Sequence, residues 1–133
     1  MKKVFFFGVL SILVLTFSGC EKVEGPGGSS SIVGKLHALE RDGFGNVIVE
    51  YDLADEDVFI IYGAEGTTHN DDVKTSYDGT FQFDFLESGT YQVFVYEKCL
   101  VGECPSGERA LLTTIEITEK KSTYDMGTIN VYK

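Results

Sequence analysis

Residues 76–96 read SYDGTFQFDFLESGTYQVFVY, and the fold turns on this stretch. Two runs alternate apolar with polar residues. Phe81, Phe83 and Phe85 point one way from the first run; Tyr91, Val93 and Val95 line one face of the second. Period-two alternation bounded by glycine-containing turns predicts half-buried antiparallel strands.

The turn before Phe81 bears on register. A two-residue Asp78-Gly79 hairpin would set Ser76 and Lys74 opposite Phe81 and Phe83. A three-residue loop, Tyr77-Asp78-Gly79 with Gly79 left-handed, sets Thr75 and Val73 there instead. The second register matches apolar with apolar, and a one-residue slip would invert a whole face. The sequence therefore predicts the three-residue loop and a ladder continuing from it.

The chain has 133 residues, one domain's worth once a targeting segment is removed. Glycine is frequent and proline scarce, as tight turns between short strands require. The formal charge is −10, and loss of Lys2 and Lys3 with the first 19 residues takes it to −12. So acidic a surface repels phosphate backbones and argues against nucleic acid as a partner.

Lys2 and Lys3 precede an apolar run from Val4 to Phe17, followed by Ser18-Gly19-Cys20. A basic start, a short apolar stretch and small residues describe a secretory signal. The run is too short for a membrane span, which needs about 20 residues. Phe17-Ser18-Gly19-Cys20 resembles the lipobox of bacterial lipoproteins, with phenylalanine where leucine is commoner. That resemblance implies lipidation of Cys20 and a membrane as partner. Residues 20–31, running through EKVEGPGGSSS after Cys20, read as a Gly/Ser-rich tether reaching roughly 15–20 Å. Glu21, Lys22 and Glu24 are similar to acidic sorting stretches, which favours the outer membrane of a diderm cell, periplasmic or surface-facing.

The domain is expected over residues 32–133. Ile32 to Glu40 reads as a strand with Ile32, Gly34, Leu36 and Ala38 on one face. Val47 to Tyr51 follows, with Val47, Val49 and Tyr51 on one side. Asp57 to Tyr62 reads as buried on both faces. Leu111 to Ile117 and Met126 to Tyr132 close the chain. About eight short strands so spaced predict an all-β sandwich or barrel.

The piece from Gly79 to Val95 resembles the G-x-F-x-F-x-x-L-x-x-G-x-Y-x-V-x-V pattern of carboxypeptidase regulatory-like domains. Gly79, Phe81, Phe83, Leu86, Gly89, Tyr91, Val93 and Val95 carry the match, and Ile32-Val33-Gly34-Lys35-Leu36 is similar to the start of the same modules. The resemblance implies a transthyretin-like (prealbumin-like) Greek-key β-sandwich of about seven or eight strands. It also implies a scaffold or accessory role, most often without catalysis.

Candidate chemistry is sparse. Cys99 and Cys104 bracket four residues in a secreted chain, and with Cys20 taken by lipid they pair off as a structural disulfide. A redox pair more usually reads C-x-x-C, and no histidine adjoins them for zinc. His37 and His69, the two histidines, sit beside no nucleophile motif. Hydroxyisourate hydrolases share the topology but end Tyr-Arg-Gly-Ser, whereas this chain ends Val131-Tyr132-Lys133. Asp52, Asp55, Glu56 and Asp57 cluster locally, with Asp71-Asp72 on another loop, yet no D-x-D-x-D-G calcium loop is present. Lys35 and Asn130 resemble the Lys–Asn isopeptide partners of adhesin domains, but the alternation turns both outward. Tyr51, Tyr62, Tyr77, Tyr96, Tyr124 and Tyr132 stand at strand ends and turns, where a ring can complete the core or stack on a sugar. The sequence thus predicts no catalytic residue, metal site or cofactor. It points to a membrane-anchored interaction or accessory module of the cell envelope, with envelope proteins or glycans as partners. The alternative is a small adhesin or glycan-binding lipoprotein; a hydrolase is the weakest reading.

Overall fold

The computed structural model describes residues 23–133. The signal, the lipobox and Cys20 lie outside them. Eight strands follow one another: β1 (Pro26–Arg41), β2 (Val47–Asp52), β3 (Asp57–Tyr62), β4 (Asp71–Lys74), β5 (Thr80–Leu86), β6 (Gly89–Lys98), β7 (Glu108–Ile117) and β8 (Thr123–Tyr132). The described residues are all-β, as expected. One sheet has the order β4-β3-β6-β7. In the other, the long strand β1 is central, with β8 along one side. On its other side β5 accompanies residues 26–35 and β2 accompanies residues 37–41. β1 and β8 run parallel, while the remaining pairs are antiparallel.

The core lies between the sheets. β1 contributes Ile32, Leu36 and Ala38, β5 contributes Phe81 and Phe83, and β6 contributes Tyr91, Val93 and Val95. Val58, Ile60, Ile115, Ile117 and Val131 add to it. Each comes from the alternating face of its strand, so burial of apolar area selects the observed registers. β3 is covered on both sides, with Val58 and Ile60 fully buried inward and Ile61 buried on the outer face.

The loop before Phe81 forms as read: Ser76 N donates to Thr80 O at 2.8 Å, Gly79 N donates to Ser76 O at 2.9 Å, and Gly79 has φ 81°. The ladder beyond it does not form. β4 pairs with β3 and β5 pairs with β1, so Val73 and Thr75 belong to the opposite sheet from Phe83 and Phe81. The turn fixes only its own closing pair; past it, Val73 pairs with Val58 in one sheet and Phe83 with Ile32 in the other.

Phe85 also departs from expectation. It has φ 57°, is 72% exposed, and yields the inward position to Leu86, which is buried. A left-handed residue inserted before the strand end reverses the alternation.

The sheet begins earlier than residue 32. Pro26 to Ser31 belong to β1, and Ser30 is buried. Its hydroxyl donates to Glu119 O at 2.9 Å and accepts from Ser122 N at 3.2 Å, while Ser29 Oγ accepts from Lys121 N. Residues read as tether from their composition are therefore stapled to the β7–β8 turn. β7 and β8 likewise begin three residues before their expected starts.

Candidate functional site

The β1–β2 hairpin stands at the end of the sandwich opposite the chain's entry. Entry is marked by Gly25, whose N–H donates to the Tyr91 hydroxyl beside the Glu87 turn. From Pro26 to Arg41, β1 covers roughly 40–50 Å at the usual rise of a strand. The hairpin turn is held by Asp42: its Oδ1 accepts from Phe44 N and Asn46 N, each at 2.9 Å, and its Oδ2 accepts from Asn46 Nδ2. Those bonds, the Asn46 side chain first, lower the Asp42 pKa. Phe44 is thereby fixed at the tip, 93% exposed.

Beside it, Cys99 and Cys104 are joined as a disulfide, as the sequence predicts. Cys99 N donates to Gly107 O and Leu100 N to a Glu103 carboxylate oxygen, so the loop is ordered and leaves Val101 exposed. Arg41 ties the two loops together: its guanidinium lies 3.8 Å over the Tyr132 ring and donates to Lys98 O at 3.0 Å. Closing so small a ring stabilises by about 2 kcal/mol on the chain-entropy account. Cys99→Ser is expected to lower stability by that amount in a denaturant melt and to leave the β2 surface unchanged.

β2 is exposed along its whole length. Ile48 is 62% exposed, and Val47, Val49 and Tyr51 between 39% and 47%. With Phe44 at the tip they form an exposed apolar strip along the edge, Val49 and Tyr51 on one face and Ile48 on the other, the kind of surface that marks an interaction site. Val47, Val49 and Tyr51, read as sharing one side, do not join the core. The strand instead overhangs, because sheet β4-β3-β6-β7 does not reach across to it.

Across the hairpin, Lys35 Nζ donates to Asp52 Oδ2 at 2.9 Å, and the His37 ring nitrogens stand 3.2 Å from Asp52 and 3.4 Å from Glu50. Lys35, then His37, lowers the Asp52 pKa. Asn130 lies opposite His37 in the ladder and Lys35 opposite Thr128, so the two isopeptide candidates are not brought together. The acidic cluster is divided among separate cations: Asp52 takes Lys35, Asp57 takes Lys74 at 2.9 Å with Asp55 at 3.9 Å, and Glu56 takes Lys133. Among the described residues no group of three or more histidine, cysteine, aspartate or glutamate side chains converges as a metal site would require. His69 is far from this region in the fold, its ring 4.8 Å from Phe59, which in turn stacks on Phe94.

Of the motif residues, Gly79 closes its turn, Phe81, Phe83, Leu86, Tyr91 and Val93 are buried in the core, and Gly89 opens β6 at φ 153°. They build the body; Leu86 borders a small hollow at the entry end, and Phe81 borders a larger concavity. That concavity is a trough of about 670 Å³ lined by Lys35, Lys74, Thr80, Gln82 and Thr128 among others. Reading from sequence missed Glu97. Its carboxylate is buried, accepts from Arg109 Nε at 2.6 Å and from Tyr132 N at 3.3 Å, and so locks β6, β7 and β8 together.

Asp78 caps its turn as Asp42 does, accepting from Thr80 Oγ1 at 2.7 Å and Thr80 N at 3.1 Å, and its pKa is lowered chiefly by that hydroxyl. A carboxylate whose folded pKa lies below its unfolded value stabilises above the unfolded value and loses that contribution as pH falls through the folded one. The melting temperature is therefore expected to drop below about pH 4. The Asp42→Asn, Asp78→Asn double variant is expected to show a shallower drop in thermal melts taken across that range.

No family model matches the chain, and no curated protein matches it. Among solved structures, the chain is similar to a crystal structure from Pseudomonas aeruginosa described as a “putative carbohydrate binding protein”. The two share 10% identity at a TM-score of 0.46, over 82% of this chain and 91% of the other. A likeness that distant carries no functional conclusion.

Proposed function

We propose that this chain is a lipid-anchored, non-catalytic ectodomain of a diderm bacterial envelope, held at the outer membrane through Cys20 and serving as an interaction or accessory module. The single observation carrying the interaction role is the apolar strip of Phe44, Val47, Ile48, Val49 and Tyr51 on an uncovered edge strand. Support for the anchor comes from Phe17-Ser18-Gly19-Cys20. The carboxypeptidase regulatory-like assignment rests on the pattern from Gly79 to Val95. With Gly25 bonded to the Tyr91 hydroxyl, four residues separate Cys20 from that point, a span of at most roughly 18 Å when extended. The body then sits close to the bilayer with the hairpin turned away from it.

A second reading, saccharide binding, is favoured by the trough, whose hydroxyl, amide and ammonium groups suit a polyol. Photo-crosslinking in intact cells tests the first reading. A photoreactive residue at Ile48 is expected to give a discrete protein adduct that depends on Cys20. The same residue at Lys120, on the β7–β8 turn near the entry end, is expected to give none. Absence of an adduct at Ile48, or the same adduct from both positions, would contradict the interaction role.

A further inference from the structure

We propose that the free edge of β2 receives, by backbone pairing, an extended segment of a partner protein in which apolar residues alternate with lysine or arginine. This rests on the interaction role argued above and names the chemistry of the partner.

The edge is open. Among the described residues β2 pairs with β1 alone. Leu53 N donates to Leu36 O at 3.0 Å, and antiparallel alternation carried from that bond turns the N–H and C=O of Tyr51 and Val49 toward β1. Glu50 and Asp52 turn theirs outward. Unpaired edges of this kind template strand addition, and proteins that avoid it use bulges, proline or lysine; β2 has one bulge, at Ile48, and from Val49 to Asp52 the edge is regular and holds neither proline nor lysine.

The two faces of the edge differ. Tyr51 lies opposite Ala38 and Val49 opposite Glu40, which places both on the core-facing side of their sheet. They remain partly exposed there, as a shelf beside the core that an added strand would extend with alternate apolar side chains. The other face carries Glu50 and Asp52, with the exposed Ile48 at its hairpin end. Lys35 and His37 serve Asp52, while the Glu50 side chain is 59% exposed and, among the described residues, meets His37 alone, at 3.4 Å. A basic residue at alternate positions of the incoming strand matches that face. A second copy of this chain does not, since pairing β2 with itself sets both copies' Glu50 and Asp52 on one face and joins two chains of formal charge −10.

The test titrates the full chain in detergent micelles with an alternating valine–lysine peptide of about six residues, an ordinary strand length, and follows backbone amide exchange. Exchange at Glu50 and Asp52 is expected to slow by about tenfold or more, with Val49 and Tyr51 changing little. A valine–glutamate peptide is expected to produce no slowing, nor a valine–lysine peptide N-methylated on its edge-facing residues. Equal slowing by either control, or none by the valine–lysine peptide, overturns the proposal. Slowing that grows with protein concentration and no peptide overturns it in favour of a second copy. Glu50→Pro removes an outward N–H without touching a bond to β1, and is expected to abolish the response while melting near the parent. Should that variant not fold, Glu50→Lys is expected to exchange the preference toward the valine–glutamate peptide. An adduct at Ile48 in cells without a peptide response rejects strand pairing alone; no adduct in cells rejects the interaction role itself.

Discussion

Gly79→Ala is expected to destabilise the fold by about 3 kcal/mol or more, a large loss for a single methyl. Three segments meet at Gly79. Its carbonyl accepts from Leu36 N at 2.8 Å, and Leu36 O in turn accepts from Leu53 N, so β5 hands over to β2 along the same side of β1 at this point. A Cβ on Gly79 would stand 2.3 Å from Leu36 O and 3.2 Å from Leu53 N, both backbone atoms that no rotamer change can clear. The residue also has φ 81°, which costs an L-residue about 1–2 kcal/mol before any clash. Gly127 separates the two contributions. It has φ 71° and nothing within 4 Å of its Cβ position, so Gly127→Ala is expected to lose only about 1 kcal/mol. Equal losses in denaturant melts of the two variants would show that close approach at Gly79 contributes nothing.

Tyr91→Phe is expected to cost about 1–3 kcal/mol, although it removes one oxygen atom. The ring is fully buried, and its hydroxyl donates to Glu87 O at 2.7 Å while accepting from Gly25 N at 3.0 Å. Burial raises the tyrosine's pKa, so the hydroxyl keeps its proton and both roles at neutral pH. Phenylalanine leaves a buried amide and a carbonyl without that partner, at the point where the chain enters the body. The variant should therefore lose stability and also become cleavable near Gly25 under limited proteolysis. Tyr96→Phe, at a ring 45% exposed, is expected to change stability by less than about 0.5 kcal/mol. A Tyr91→Phe melt as close to the parent as that of Tyr96→Phe would contradict the role given to the hydroxyl.

The core was legible in the sequence because alternation is a direct image of burial. Ile32, Leu36 and Ala38, then Phe81 and Phe83, then Tyr91, Val93 and Val95 all read inward and are inward. Phe85 shows where the image breaks. Phe81 and Phe83 facing in with Leu86 also facing in cannot hold in a regular strand, because the parity differs. That conflict was the available signal for the left-handed residue at Phe85.

The departure of β4 from β5 left no comparable trace. A three-residue loop closes equally well over a continuing ladder and over two strands parting into opposite sheets. Only long-range pairing, Val73 with Val58 and Phe81 with Gly34, decides between them. Ser29 and Ser30 likewise read as linker because their contribution to the sheet is made by hydroxyl bonds to the β7–β8 turn, not by apolar burial. The exposed hairpin strip was hidden for the opposite reason. Val47, Ile48, Val49 and Tyr51 have the composition of a core strand, and only the missing cover above them reveals a surface.

Amide hydrogen exchange along β2 in the free, full-length chain tests the central claim most directly. A sandwich with an open, partner-ready edge requires slow exchange at Val49 and Tyr51, bonded to β1, and exchange near the rate of unstructured peptide at Glu50 and Asp52. Protection at all four would mean the edge is already covered, and protection at none would mean β2 is not part of the sheet.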